Sequence, residues 1–256
     1  MRSLLTAIRT LTIIPLPGRD CERLSSCLLW FPWVGLILGG ILYGFGILWC
    51  GLLGKAWFSG GGALLLAAGV ILTRGLHLDG LADWVDAVGA DKSPSKRLSI
   101  MKDPHLGTFG VLALILVLIL KWTALTRLLS SGSLIWIVPI FVIPRDLMVE
   151  LMTTMPYARP GGGTARPFLE GVSQQQRIWS HCMTLGVCLF FGPAGIALLV
   201  LGWIVTVFLR TCFKKSFGGI TGDLLGATNE LVETALLMAC ALPGEKLLAL
   251  TGWVLV

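Results

Sequence analysis

The chain has 256 residues, 55% of them hydrophobic and only 13% charged, with a mean hydropathy of +0.84. Soluble domains average about 25% charged residues, so the composition argues against a soluble globular protein. It also argues against the nucleic-acid partner that a net charge of +6 would otherwise suggest. It reads instead as an all-α, polytopic integral membrane bundle, one domain over 1–256 with about 6–8 transmembrane helices. Its 32 glycines and 10 tryptophans suit close helix packing and interfacial belts.

At the N-terminus, Leu4, Leu5, Ile8 and Leu11 share a helical face with Arg2 and Arg9 elsewhere, which predicts an interfacial helix ended by Pro15 and Pro17. Arg9 interrupts this stretch, so it is not a signal peptide. Apolar segments of spanning length follow at 28–54, 61–76, 109–129 and 134–155. The stretch 178–210 is too long for one helix and carries Gly192-Pro193 in its middle, so it splits into two short spans. The tail 231–256 is apolar but broken by Pro243-Gly244-Glu245-Lys246, and reads as one kinked span or two half-spans. The seven cysteines contain no C-x-x-C and imply neither a disulfide framework nor a zinc site.

Charge sets the orientation. With Arg2, Arg9, Arg19 and Arg23 in the cytoplasm, the connections after the second, fourth and sixth spans are cytoplasmic as well. They carry Lys92, Lys96, Arg97 and Lys102, then Arg159, Arg166 and Arg177, then Lys214 and Lys215, while the opposite face has mainly Lys55 and Arg127. The only sizeable polar connections, 79–107, 156–177 and 211–230, therefore share one face.

The run from His77 to Asp86 holds the clearest chemistry. Asp79, Asp83 and Asp86 are spaced i, i+4, i+7 and share one side of a helix. Three carboxylates in register repel unless a cation lies among them, and hard divalent ions such as Mg²⁺ take oxygen ligands of this kind. Capping a helix would need one Asp, not three. His77 is placed to bind substrate or act as a base, or it is an ordinary structural histidine. Lys92, Lys96 and Arg97 follow, suiting a phosphate ester held beside a metal, or simply marking a cytoplasmic loop.

A second acidic segment, Phe217 to Glu230, is rich in glycine and follows Lys214 and Lys215. Asp223 and Glu230 lie seven apart on one face and could form a second half-site, with Asp223 as a plain N-cap the alternative. Between them in the chain, Gly161, Gly162 and Gly163 sit between Arg159 and Arg166, either as an anion-binding concavity or as a flexible loop. Arg145 and Asp146 fall inside a span, where a charge pair stabilises the bundle or lines a cavity. There is no G-x-S-x-G and no Walker A lysine, which favours direct transfer on a metal-bound phosphate over a covalent intermediate.

Three runs in order, His77-Leu-Asp-Gly-Leu-Ala-Asp-x-x-Asp86, Met101-Lys-Asp-x-x-Leu-Gly-Thr-Phe-Gly110 and Gly218-Gly-x-Thr-Gly-Asp223-x-Leu-Gly-Ala-x-x-Glu230, resemble the cobalamin synthase family, the adenosylcobinamide-GDP ribazoletransferases. The opening Ala7 to Pro17 and the length agree with it. The resemblance implies a Mg²⁺-dependent membrane transferase in the bacterial inner membrane, acting at its cytoplasmic face beside lipid and other corrinoid-pathway enzymes. A ribose hydroxyl of α-ribazole or its 5′-phosphate attacks adenosylcobinamide-GDP, releasing GMP and forming adenosylcobalamin or its 5′-phosphate. By motif, Asp79, Asp83 and Asp86 hold Mg²⁺ against the diphosphate, Asp223 and Glu230 complete or flank the site, and Lys102, Asp103, His105 and Thr221 line it with His77.

Two departures from the family pattern are Ala87, where glycine is usual, and Trp84, where a small or polar residue is expected. A CDP-alcohol phosphotransferase also begins its motif with Asp-Gly, but Asp83 stands where that motif needs an arginine. A transporter would place its charges near the membrane midplane on broken helices rather than at span ends.

The orientation is testable. Single cysteines at Ser95, Gly162 and Ser216, in a background freed of the native cysteines, are expected to react with an impermeant maleimide only from the cytoplasmic side. Labelling of any one from outside breaks the span count.

Overall fold

The computed structural model describes residues 2–53, 56–90, 93–244 and 246. Its helices run in chain order as α1 (Arg2–Leu11), α2 (Phe31–Leu53), α3 (Phe58–Leu72), α4 (Leu76–Gly89), α5 (Pro94–Ile100), α6 (Thr108–Ser130), α7 (Ile137–Thr154), α8 (Arg166–Leu169), α9 (Gln174–Phe190), α10 (Gly192–Phe217) and α11 (Gly222–Ala241). A 3₁₀ segment, Leu24–Trp30, leads directly into α2. Lys55, Asp91, Lys92, Glu245 and 247–256 lie outside the described residues.

Four segments are long and apolar enough to cross a membrane: Leu24–Leu53, Thr108–Ser130, Gly192–Phe217 and Gly222–Ala241. The pair α3 and α4 passes the same test together but is bent by 88°. Large apolar side chains such as Phe45, Leu52, Leu64, Leu116, Ile204 and Phe208 are more than half exposed. Water would penalise so continuous an apolar surface, and lipid does not.

The expected segments appear, with three corrections. The last span starts at Gly222 rather than 231, because Thr221 caps the helix and starts it early. The first helix ends at Leu11, four residues before Pro15. Its apolar face, Ala7, Ile8 and Leu11, is also turned onto the bundle rather than outward. The break between α9 and α10 falls where the Gly192-Pro193 pair predicted it, with Gly192 in the left-handed region at φ 68°.

Helix α7 is the centre. It is buried at nearly every position from Ile137 to Met152 although it carries Arg145, Asp146 and Glu150. It packs against α2 through Gly35 and Gly39, four apart, where an added Cβ would come within 2.8 Å of the Val142 and Val138 Cα atoms. This is the small-x-x-x-small contact that lets membrane helices approach backbone to backbone.

The charges on α7 are answered inside the protein, on opposite sides. Arg145 donates to Glu233 Oε2 at 3.0 Å and to the Phe141 carbonyl at 2.9 Å. Glu233 also accepts from Lys121 at 2.8 Å, and Lys121 from α6 reaches Glu230 at 2.5 Å. Asp146 turns the other way and accepts from Ser180 at 2.6 Å, with the His181 ring at 2.9 Å and Glu150 beyond it at 3.1 Å. Arg145 and Asp146 are thus not partners of each other.

Glu233 is the residue that two buried cations share. Its replacement by alanine leaves Arg145 without a carboxylate, and the loss of one partner from a buried pair costs on the order of 3–5 kcal/mol. Glu233→Ala is expected to lower the unfolding midpoint in detergent sharply. An unchanged midpoint would show that the cluster adds nothing to stability.

Candidate active site

The site begins where α4 crosses the start of α11. Gly80 lies against Asp223, and an added Cβ there would sit 2.7 Å from the Asp223 Cα. One turn on, a Cβ at Gly226 would sit 3.1 Å from the Cα of His77. Two glycines, one on each helix, let the two acidic motifs meet.

The chain enters both helices by special routes. Between α3 and α4, Arg74 and Gly75 both adopt left-handed backbone, with φ of 56° and 63°. This produces the sharp bend and delivers His77 and Asp79 to the first turns of α4. At α11, the Thr221 hydroxyl accepts from the Leu224 N–H at 3.3 Å, a side-chain N-cap. The segment before it is zipped to the loop after α7 by a single parallel bridge, Tyr157 to Ile220. The Ala158 N–H donates to the Ile220 carbonyl at 2.8 Å and the Ile220 N–H to the Pro156 carbonyl at 2.9 Å.

That bridge carries Arg159 to Asp223. The guanidinium meets Asp223 Oδ2 at 2.7 Å and the Met101 carbonyl at 3.3 Å. Asp83 lies near enough to feel the charges of Asp223, Asp79 and Asp86, with Arg159 as the opposing charge. Asp79 is exposed, while Asp83 and Asp223 are half-buried. Asp79, Asp83 and Asp223 thus lie near enough for their charges to act on one another.

Asp86 is placed differently. Its two oxygens accept from the Gly107 and Gly110 N–H groups, each at 2.8 Å. It therefore caps α6, whose own N-cap residue, Gly107, has no side chain to do so. An added Cβ at Gly107 or Gly110 would collide with this carboxylate.

Glu230 is also elsewhere. It lies two turns beyond Asp223, about 10 Å along the axis at 1.5 Å per residue, inside the ion cluster with Lys121. Lys102, Asp103 and His105 are exposed. The His105 backbone N–H and ring both bind Asp103, at 3.0 and 2.6 Å, and hold its carboxyl below the usual range. The carbonyl of the preceding Met101 accepts from Arg159. Of the triple-glycine loop, Thr164 lines the cavity and Arg159 meets Asp223, while Arg166 turns back to the Pro160 carbonyl at 3.2 Å.

Beside the three aspartates opens a cavity of about 330 Å³. Its polar side comprises Arg74, His77, Asp79, Thr164 and Asp223. Its apolar side includes Leu11, Phe31, Met148, Met152, Phe168 and Leu225. His77 is buried and its Nε2 has no hydrogen-bond partner. Arg74 and the apolar wall were not singled out in the sequence, because nothing local marks residues that only the bend brings in; Arg159, read there as one flank of the glycine loop, pairs with Asp223 instead.

Among the described residues no three His, Cys, Asp or Glu side chains converge closely enough to hold a metal as they stand. The donor set still suits a hard cation. Asp79, Asp83 and Asp223 offer only carboxylate oxygens, and Arg159 offsets one of three negative charges. The two departures are accommodated by packing. Trp84 meets Phe213 of α10 edge to face at 5.7 Å, and Ala87 is fully buried.

A family model described as Cobalamin-5-phosphate synthase matches residues 3–241. A Chlorobaculum parvum protein named adenosylcobinamide-GDP ribazoletransferase is 43% identical over 253 residues, covering 94% of this chain and 96% of that one. Relatives of the same name from Chlorobaculum tepidum and Ectopseudomonas mendocina are 42% and 38% identical, over 94% and 92% of this chain and 96% and 97% of theirs. No solved structure matches the chain.

The position of Asp86 generates a stability prediction. Asp86→Ala leaves the first N–H groups of α6 unanswered, which costs about 1 kcal/mol at a helix N-terminus. Asp86→Asn keeps an acceptor and is expected to lose less. Denaturation midpoints of the two variants in one detergent compare them directly, and equal midpoints would deny the capping role.

Proposed function

Because the chain belongs to the cobalamin-5-phosphate synthase family, we propose that its site joins α-ribazole or its 5′-phosphate to adenosylcobinamide-GDP, in late assembly of the nucleotide loop. The protein is a multi-pass membrane transferase. The observation that carries the mechanism is the glycine-mediated crossing of α4 and α11, which brings Asp79, Asp83 and Asp223 near one another, with Arg159 on Asp223 and a cavity lined by Asp79 and Asp223 beside them.

A ribose hydroxyl oxygen forms a bond to the cobinamide-linked phosphorus. The bond from that phosphorus to the bridging oxygen breaks, and GMP leaves with the bridging oxygen. The hydroxyl proton passes to Asp79, the most exposed of the three carboxylates. Arg159 orients Asp223 through its 2.7 Å contact and faces the phosphoryl oxygens with its remaining donors. Asp79, Asp83 and Asp223 would hold Mg²⁺, which when bound supplies charge neutralisation of the diphosphate. Asp86 acts at one remove, fixing α6 against α4. The basic residues of the connections 79–107, 156–177 and 211–230 favour the cytoplasmic face of a bacterial inner membrane for the site. That face would also meet the soluble substrates and other corrinoid-pathway enzymes.

Purified protein in lipid is expected to release GMP from adenosylcobinamide-GDP and α-ribazole 5′-phosphate only when Mg²⁺ is present, with a matching corrinoid product. Asp79→Asn is expected to lower turnover by roughly 10²–10⁴-fold, the range for a lost acid–base group, with folding intact. A fully active Asp79→Asn enzyme would remove Asp79 from the mechanism. GMP release that ignores chelator would remove the metal.

A further inference from the structure

The cavity beside the aspartates has two unlike halves, and its size restricts what enters. At about 330 Å³ it lies at the small end of ligand pockets, which span roughly 300–1,000 Å³. A nucleoside fits such a space, and a corrin macrocycle does not. Its apolar half is built by Leu11 of α1, Phe31 of α2, Met148 and Met152 of α7, and Phe168 of α8. Phe31 and Phe168 are tilted rings 6.4 Å apart. Thioether and aromatic groups of this kind wrap flat, polarizable ring systems.

At the boundary between the halves stands His77. It is 2% exposed, lines the cavity, and carries an Nε2 with no partner in the protein. A buried polar atom left unsatisfied is costly, and a ligand hydrogen bond would recover that cost. Asp79 and Asp223 lie on the same wall, at the transfer site.

We infer that this cavity is the acceptor pocket: it takes the flat aromatic base of the ribonucleoside in its apolar half, with a ligand hydrogen bond to His77 and the ribose at Asp79 and Asp223, while the corrinoid stays outside. The inference rests on the transferase reading above and adds to it which substrate enters the protein and which residues select it. A base that is smaller or more polar leaves the apolar half poorly filled, so Met152 and Phe168 become the residues that set base preference.

The test varies each substrate in turn with the full-length protein in lipid. Met152→Trp fills the apolar half and is expected to raise KM for the riboside by roughly 10–200-fold, the range for a misfitting apolar pocket. KM for adenosylcobinamide-GDP is expected to stay within about twofold. Should Met152→Trp fail to fold, Phe168→Ala at the half-buried edge carries the same expectation. Free benzimidazole serves as a second probe, its own fluorescence reporting saturable binding to the protein without corrinoid and weaker binding to His77→Ala. An unchanged riboside KM in an enzyme that releases GMP normally overturns the acceptor pocket and leaves the transferase reading standing. Parallel rises in both KM values also overturn it. Saturable benzimidazole binding by a protein that makes no GMP would uphold the pocket and overturn the transferase reading.

Discussion

The active end of this protein depends on one close approach, the crossing of α4 and α11 at Gly80 and Gly226. Either helix alone carries acidic residues that repel one another. Only backbone-to-backbone contact brings Asp223 among Asp79 and Asp83, and side chains at the crossing would hold the helices apart. The electrostatic cost of that gathering is partly offset by Arg159, itself delivered by a single β-bridge between two loops. A cation between the carboxylates would offset the remainder.

The second constraint is the charge inside α7. A helix at the centre of a membrane bundle is normally apolar all round, and this one is crossed by Arg145, Asp146 and Glu150. Arg145 ties α7 to α11, and Asp146 ties it to α9. These bonds have direction where apolar packing in lipid has little, so they fix the rotation of α7 about its axis. That rotation in turn places Met148 and Met152 on the cavity wall. Polar groups far from the reacting atoms thereby set the shape of the site.

Much of this was legible in the sequence. The apolar runs located most spanning helices, because lipid demands about twenty apolar residues per crossing and little else produces such runs. The Gly192-Pro193 break was legible for the same reason. The acidic motifs, too, marked the two helices, α4 and α11, whose glycines let them cross closely. Periodicity could not say which carboxylates would remain available. Asp86 shares a helix face with Asp79 and Asp83 but lies at the end of α4, where the amides of α6 claim it. Glu230 shares a face with Asp223 but sits two turns deeper, where Lys121 claims it. In both cases the competing partner is remote in sequence, 21 or more residues away. The last span began earlier than hydropathy indicated because its first turns contain Asp223, Asn229 and Glu230, which dilute the apolar signal while tertiary contacts bury them.

The bend ahead of α4 has a mechanical side. Arg74 is the single non-glycine residue at positive φ among the described residues, a conformation that costs a side-chain-bearing residue roughly 1–2 kcal/mol. Its guanidinium donates to the carbonyls of Arg9 and Thr10, both at 3.1 Å, at the close of α1. Glycine would relax the backbone there but could not reach, and a shorter polar residue would tolerate the angle without spanning the gap. The joint is therefore braced from outside, like a bracket fastened to a neighbouring beam. The first ten residues of the chain, remote from the reaction in sequence and chemistry, help to aim the helix that carries Asp79.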